Sequence, residues 1–348
     1  MKKLMNKVRR RKSTVEESSR ITTETIAEHR ERILAGGRRF KYPVQYARHR
    51  LVFNAIILGI VAVILAVVAF WWQLYLVQNT SDFMYRVTKV IPLSVARVDG
   101  QSVRYSDYLM KYRSSIHYLE EKEQVNLNTE DGRRQSDFVK QQAMQDAIAD
   151  ALAIKIAKEK NITVSDVELE TYLKAQRNSS DGAVSEGTYD AVILDYYGWS
   201  PDEYRHAMEN KLLRQKVMYA VDENADKMTK TVATALEGSA DLKAIAESIN
   251  ASGAQVVYGV QGWVPRNNQD GGLAIAAAKL GIGGVSPVVR SSAGDGYYFV
   301  KLLEANDTQV NYEFIHIPLS AFVERVEKVR TDNKVVEYIS IPTVTTTE

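Results

Sequence analysis

The sequence predicts a single membrane-spanning helix followed, outside the membrane, by an all-α domain and a small α+β domain. Three observations predict it. Leu51–Phe70 is an apolar run whose only clearly polar member is Asn54, and at about 1.5 Å per helical residue it reaches across a bilayer's hydrocarbon core. Charge is sorted about that run: residues 1–50 carry 15 Lys/Arg against 5 Asp/Glu, and the remainder carries 30 against 38, so +10 and −8 recover the overall +2. Beyond the run, apolar residues recur at helical steps up to about residue 221 and then give way to short strand-like stretches.

The span comes first. Arg38, Arg39, Lys41, Arg48 and Arg50 crowd its N-terminal side, and Trp71, Trp72 and Tyr75 mark the far end as an aromatic belt would. The positive-inside bias places residues 1–50 in the cytoplasm and everything after about Leu76 outside. About 50 residues precede the run, far more than a cleaved signal peptide's n-region, so an uncleaved signal anchor over 51–76 is expected. The tail is basic at Lys2, Lys3, Lys7, Arg9, Arg10, Arg11 and Lys12. Beside a span, such a run is expected to serve topology and contact with anionic lipid rather than nucleic acid. Thr22–Ala35 reads as a short helix stopped by Gly36-Gly37. The chain has no cysteine, which excludes disulfides, thiol catalysis and cysteine metal sites.

Residues 77–93 read as a stalk. Val95–Val98, Asp99-Gly100 and Gln101–Arg104 form a hairpin signal, because Asp-Gly supplies the positive φ angles of a tight turn. Ser106 is expected to cap a helix with Leu109, Tyr112, Ile116 and Leu119 on its apolar face. After a polar loop (Val125–Arg134), Met144, Ile148, Leu152 and Ile156 mark one face of a longer helix that Asn161 ends. Ser165-Asp166-Val167-Glu168 is a capping box. A loop at Asn178–Gly187 and a short helix at Tyr189–Tyr197 follow; Ser200-Pro201-Asp202-Glu203 then opens a helix facing Tyr204, Met208 and Leu212. Together these give a helical domain over 94–225. The α+β domain spans 226–318, with helices at Lys230–Leu236, Ala240–Ile249 and Leu273–Leu280, and strands at Gln255–Val260, Tyr297–Leu303 and Tyr312–Ile317. A helix with Phe322, Val326 and Val329, then a Thr-rich tail, fill 319–348.

Over residues 94–303 the chain resembles the SurA/PrsA type of parvulin-containing foldases. In the helical half the likeness is carried by Val95–Gly100 with Ser106-Asp107-Tyr108, by Ala143–Lys158 with Asn161–Asp166, and by Tyr197–Arg205. The α+β half is similar to a parvulin prolyl isomerase domain at Ala240–Ala246, Gly259–Trp263, Leu280 with Gly284 and Ser286–Val288, and Gly296–Lys301. The departures fall on the catalytic positions. Tyr298 stands where the family has a strand histidine, and the stretch matching the proline pocket offers only Leu273 and Ile275. The family's first strand has no counterpart between Val217 and Lys230. Glu313–Pro318, with His316, resembles that strand out of order and is expected to fill its slot.

Prolyl isomerisation crosses a barrier of about 18–20 kcal/mol set by amide resonance. An enzyme lowers it with an apolar pocket and a few oriented polar groups. The resemblance implies His316 and Tyr298 as catalytic candidates, with Trp263, Val264, Leu273 and Ile275 lining the substrate. Each has a bland alternative: His316 as a strand histidine satisfied by hydrogen bonds, Tyr298 and Trp263 as core aromatics with a polar edge. No cofactor or metal is expected, since His29, His49, His117, His206 and His316 are scattered without ligand spacing. Gly281–Gly284 lacks the lysine of a phosphate loop and reads as a turn. Three functions stay open: a membrane-tethered chaperone for unfolded or nascent exported polypeptides, an active prolyl isomerase of the same architecture, and an envelope scaffold or membrane-complex subunit.

Overall fold

The computed structural model describes residues 22–41, 43–179 and 182–342, so the basic run Lys2–Lys12, residues 180–181 and the last six residues lie outside the described residues. The chain divides into two compact units at Trp72/Gln73. In the first, helix α1 (Thr23–Lys41) continues through Gly36-Gly37, where a stop was expected. Glycine costs a helix about 1 kcal/mol against alanine, which weakens it without ending it unless the backbone turns left-handed. Helix α2 (Pro43–Tyr75) opens with proline, which suits a first turn. Its stretch His49–Tyr75 is long and apolar enough to cross a membrane and is not buried within the protein.

The second unit begins inside the last turn of α2. Leu74 is fully buried, and helix α3 (Asp82–Val90) follows, capped by Ser81 and burying Met84, Tyr85 and Thr88. The hairpin of β1 (Ser94–Val98) and β2 (Gln101–Arg104) turns on Asp99 (φ 45°) and Gly100 (φ 85°), as Asp-Gly predicts. Helix α4 (Tyr105–Glu121) starts one residue before Ser106, so Ser106 is a buried first-turn residue and not the cap; Arg104 holds that position with no side-chain cap. Because α3 packs on α4, residues 82–90 are part of the helical domain and not of a stalk. The reason was hard to read in sequence, since a nine-residue helix with three inward side chains presents too short a stripe for a clear period.

Helix α5 (Glu130–Lys160) begins within the expected loop, because Thr129 caps it. It ends at Asn161, whose φ of 55° satisfies the last carbonyls. Met144, Ile148, Leu152 and Ile156 are buried along it. Helix α6 (Asp166–Gln176) has the Ser165–Glu168 capping box. A small ribbon of β3 (Asn178–Ser179) and β4 (Gly182–Ala183) occupies part of the expected loop. Helix α7 (Glu186–Tyr197) and helix α8 (Pro201–Val221) complete the domain, the latter from the Ser200–Glu203 box. Buried Asp150 joins three helices by pairing with Lys111 at 2.7 Å and Arg214 at 3.0 Å. Removing either partner of such a pair leaves an uncompensated buried charge.

The α+β part starts with α9 (Glu223–Gly238), longer than expected because Asp222 caps it, and α10 (Leu242–Ala251), capped by Asp241. Strand β5 (Val257–Pro265), helix α11 (Leu273–Ala277) and strands β6 (Val289–Arg290), β7 (Gly296–Ala305) and β8 (Gln309–Pro318) follow. The antiparallel sheet has the order β5-β8-β7-β6, so the out-of-order strand lies at its centre. Period-2 alternation splits its side chains between two cores. Phe299, Ile315 and Ile317 face α9 and α10 through Val232, Leu242, Ile245 and Ile249. Tyr298, Val300, Leu302, Val310 and Tyr312 face α11 through Leu273, Ala274 and Ala277. Helix α12 (Ala321–Thr331) buries Phe322, Val326 and Val329 and packs against α8. Strand β9 (Val335–Glu337) then pairs with β1, giving a β2-β1-β9 sheet that returns the C-terminal segment to the helical domain.

Candidate functional site

The two catalytic candidates meet. Tyr298 and His316 are direct partners across β7 and β8, and their rings stack with centroids 4.3 Å apart and 10° from parallel. The Tyr298 hydroxyl donates to Asp295 Oδ2 at 2.6 Å, and His316 Nε2 lies 3.2 Å from the Asp295 carbonyl oxygen. A carbonyl only accepts, so that ring nitrogen carries the hydrogen in this contact. Burial, then the bond to Asp295, pushes the Tyr298 phenol well above its usual range. Burial opposes ionisation of Asp295, but hydrogen bonds from Ser291 and Tyr298 prevail and hold its carboxyl below the usual range.

The four lining candidates separate. Leu273 is buried in the same core as Tyr298, and Val264 packs against that core. Trp263 and Ile275 are exposed at 45% and 44% and do not join it. Trp263 is paired with Asn311, and Val264 with buried Val310, so the alternation of β5 sends the indole to the opposite face. Two residues that sequence reasoning did not place at the site complete the arrangement. Phe314 stands edge-on to Tyr298 at 5.6 Å. Tyr312, fully buried, donates its hydroxyl to Asp270 Oδ2 at 2.7 Å. The signal for these was the alternation Tyr312-Phe314-His316, which puts three rings on one face of one strand. Gly259 makes room for the middle ring, because a Cβ there would lie 2.5 Å from Phe314 Cζ. This face of the sheet is therefore occupied by the chain's own aromatic side chains.

An open concavity lies in the helical domain. A cavity of about 550 Å³ is walled by α3, α4, the end of α7 and the start of α8, with Tyr85, Met110, Leu194, Tyr197 and Trp199 in its lining. Gly198 ends α7 at φ 66°, and on either side of that turn Tyr197 and Trp199 stack at 5.1 Å. The Trp199 indole N–H is directed at the Met110 carbonyl at 3.4 Å. Leu194 and Tyr197 are exposed at 57% and 43%.

Glu203 holds the groove together. Its Oε2 closes the capping box on Ser200, while Oε1 accepts from the Tyr85 hydroxyl at 2.6 Å and from Lys89 at 3.1 Å. Burial works against its ionisation, but the bonds from Tyr85, Ser200 and Lys89 outweigh it and hold the carboxyl at about 2. Arg113 donates to the Thr80 carbonyl at 2.8 Å and to Asp82 at 3.1 Å. The groove's main charges are thus paired with one another, which leaves apolar and aromatic surface as what it offers a partner. A second cavity of about 500 Å³ lies between α6, α8 and β6, lined by Val167, Tyr172, Leu212 and Tyr219, with Arg290 over the Tyr219 ring at 3.9 Å. Among the described residues no group of three or more His, Cys, Asp or Glu is placed to hold a metal ion.

A long central helix, a β-hairpin before it, capped helices and an open groove with an aromatic wall make up the helical domain. The family model described as the SurA-like N-terminal domain matches residues 46–218, so this part of the chain is similar to that domain. The match starts within α2 rather than at residue 94, which agrees with α3 being folded onto α4. A solved chain from work on PEB4 and Cj1289 of Campylobacter jejuni, described as structurally related SurA-like chaperones, is similar over 69% of this chain and 94% of its own length. Its identity is 13% and its TM-score 0.26, too loose a superposition to carry an argument. Comparison with curated proteins returns no match.

Proposed function

We propose that this protein is a membrane-anchored, extracytoplasmic chaperone that holds unfolded exported polypeptides in the groove between α3, α4, α7 and α8. The observation that carries the reading is the contrast between two surfaces. In the SurA-like domain Leu194, Tyr197 and Trp199 line an open groove, whereas Tyr298, Tyr312 and Phe314 fill the sheet face where catalysis would occur. The α+β part is then a parvulin-like unit retained for structure or binding, with β8 in the slot of its first strand. The span would tether it, with residues 1–50 on the cytoplasmic side against anionic lipid and the acidic bulk outside.

The test uses the full chain in lipid nanodiscs. Substoichiometric to stoichiometric protein should suppress aggregation of a chemically denatured, proline-poor client, and failure to do so over that range sinks the reading. Topology is checked separately, since protease added outside intact cells should reach the C-terminal domains without lysis. An active isomerase is the second reading, favoured by the stacked Tyr298–His316 pair. Acceleration of proline-limited refolding above background would put it first.

A further inference from the structure

The second unit closes over its own first residues. The Tyr105 hydroxyl donates to the Leu74 carbonyl at 2.7 Å, and the Tyr75 hydroxyl donates to the Ser94 carbonyl at 2.8 Å. Tyr75 is the last residue of α2, and Ser94 the first of β1, so the segment 76–93 leaves the end of the span and returns to it. The C-terminal strand reaches the same place. Tyr338 N–H donates to the Val95 carbonyl at 2.9 Å, and the Gln78 side chain donates to the Ser340 carbonyl at 2.8 Å.

Apolar side chains gather where these segments converge. Leu76 is 58% exposed, Val77 49%, Val90 83%, Ile91 47% and Tyr338 44%. At about 3.5 Å per residue, Leu76 and Val77 lie within ~7 Å of Tyr75, and Val90 and Ile91 within ~14 Å of Ser94. Further out on α3, Phe83 stands on the same outward stripe as Val90, two helical turns away, opposite buried Met84 and Thr88. The two stretches Gln73–Ser81 and Val90–Ala96 contain no Asp, Glu, Lys or Arg, in a domain otherwise dense in charge. Apolar residues scattered singly on a surface need no explanation, but a charge-free cluster does.

We infer that Leu76, Val77, Val90, Ile91 and Tyr338 form a collar that sits in the headgroup and upper acyl region of the bilayer around the exit of the span. The inference rests on α2 crossing the membrane. Connectivity selects lipid as the occupant: Leu76 and Val77 directly follow Tyr75, the last residue of the apolar helix, and Tyr75 bonds the carbonyl of Ser94, four residues past Val90. Aliphatic side chains flanked by Tyr75 and Tyr338 match what that layer accommodates, an apolar body with a polar tip.

The absence of cysteine allows single labels in the full chain. Spin labels at Val90→Cys and Leu76→Cys, in nanodiscs of zwitterionic and anionic lipid, should show a several-fold higher ratio of oxygen to nickel-complex accessibility than a label at Val323→Cys, an exposed site on α12. A label at Leu58→Cys reports the span itself. If Leu58 reads acyl chain while Val90 and Leu76 read water like Val323, the collar is overturned and the span stands. If Leu58 reads water, the span reading falls and the collar with it. A Val90 signal that appears only with two copies per disc assigns the patch to self-association and also overturns the proposal.

Discussion

Asp222 Oδ2 lies 2.7 Å from the backbone nitrogen of Ser320, 98 residues further along the chain. The same oxygen accepts from Ala321 N–H at 3.0 Å, and Oδ1 accepts from Ala225 N–H at 2.9 Å. One buried carboxylate therefore caps α9 and the first turn of α12 together, joining the first helix of the α+β part to the segment after the sheet. Asp222→Ala removes both caps, each worth about 0.5–2 kcal/mol. The variant should lose about 1–4 kcal/mol in denaturant unfolding of the detergent-solubilised chain, and Asp222→Asn, which keeps one acceptor, should lose less.

Glu203 predicts an acid dependence. Its folded-state value of about 2 lies below its ordinary 4.5. A depressed carboxylate contributes stability that is present above the unfolded value and is lost as pH falls through the folded one. Glu203→Gln should thus be less stable than the native chain at pH 7, and the gap should close between about pH 4.5 and about 2. Glu168, held at about 2 chiefly by Lys216 and then by Ser165, titrates in the same window. A double variant should therefore flatten the acid limb further than either single one, read from unfolding midpoints across pH.

Leu194 tests the groove without disturbing the core. It is 57% exposed on the groove wall, so Leu194→Glu should change unfolding free energy by no more than about 0.5 kcal/mol. Affinity for an unfolded client segment should fall about tenfold, the equivalent of about 1.4 kcal/mol, measured by fluorescence anisotropy of a labelled peptide. Unchanged affinity would move the binding surface elsewhere.

Tyr298 tests the filled face. Tyr298→Ala empties a core position and should cost about 3–5 kcal/mol. Tyr298→Phe keeps the ring over His316 and loses only the bond to Asp295, about 1–2 kcal/mol. If the ring is there for packing, neither the native chain nor either variant should raise the rate of proline-limited refolding above background. A rate enhancement that Tyr298→Phe abolishes would make the pair catalytic.

Legibility in sequence tracked the distance over which each feature is determined. The Asp99-Gly100 turn, the Ser165 and Ser200 capping boxes, the Asn161 terminus and the apolar run of α2 depend on residues within a few positions, and sequence pattern located them all. Ser106 failed as a cap because Arg104, in extended backbone two residues earlier, already holds the cap position. The site was half legible: His316 and Tyr298 were found through strand likeness, but which face each side chain takes depends on register. A bulge at Val260/Gly262 sends Trp263 to the other side of the sheet.

Local chemistry alone settled the Asp99-Gly100 turn, two capping boxes, the end of α5, and that one segment suits a bilayer. Folding in three dimensions decided the rest. It made α3 a wall of the groove, gave Glu203 its partners Tyr85 and Lys89 more than a hundred residues away, set β8 at the centre of the sheet, and brought β9 back to β1. These outcomes rest on contacts between residues far apart in the chain, whose free energy exists only once the intervening segments have packed, so no window of sequence contains them.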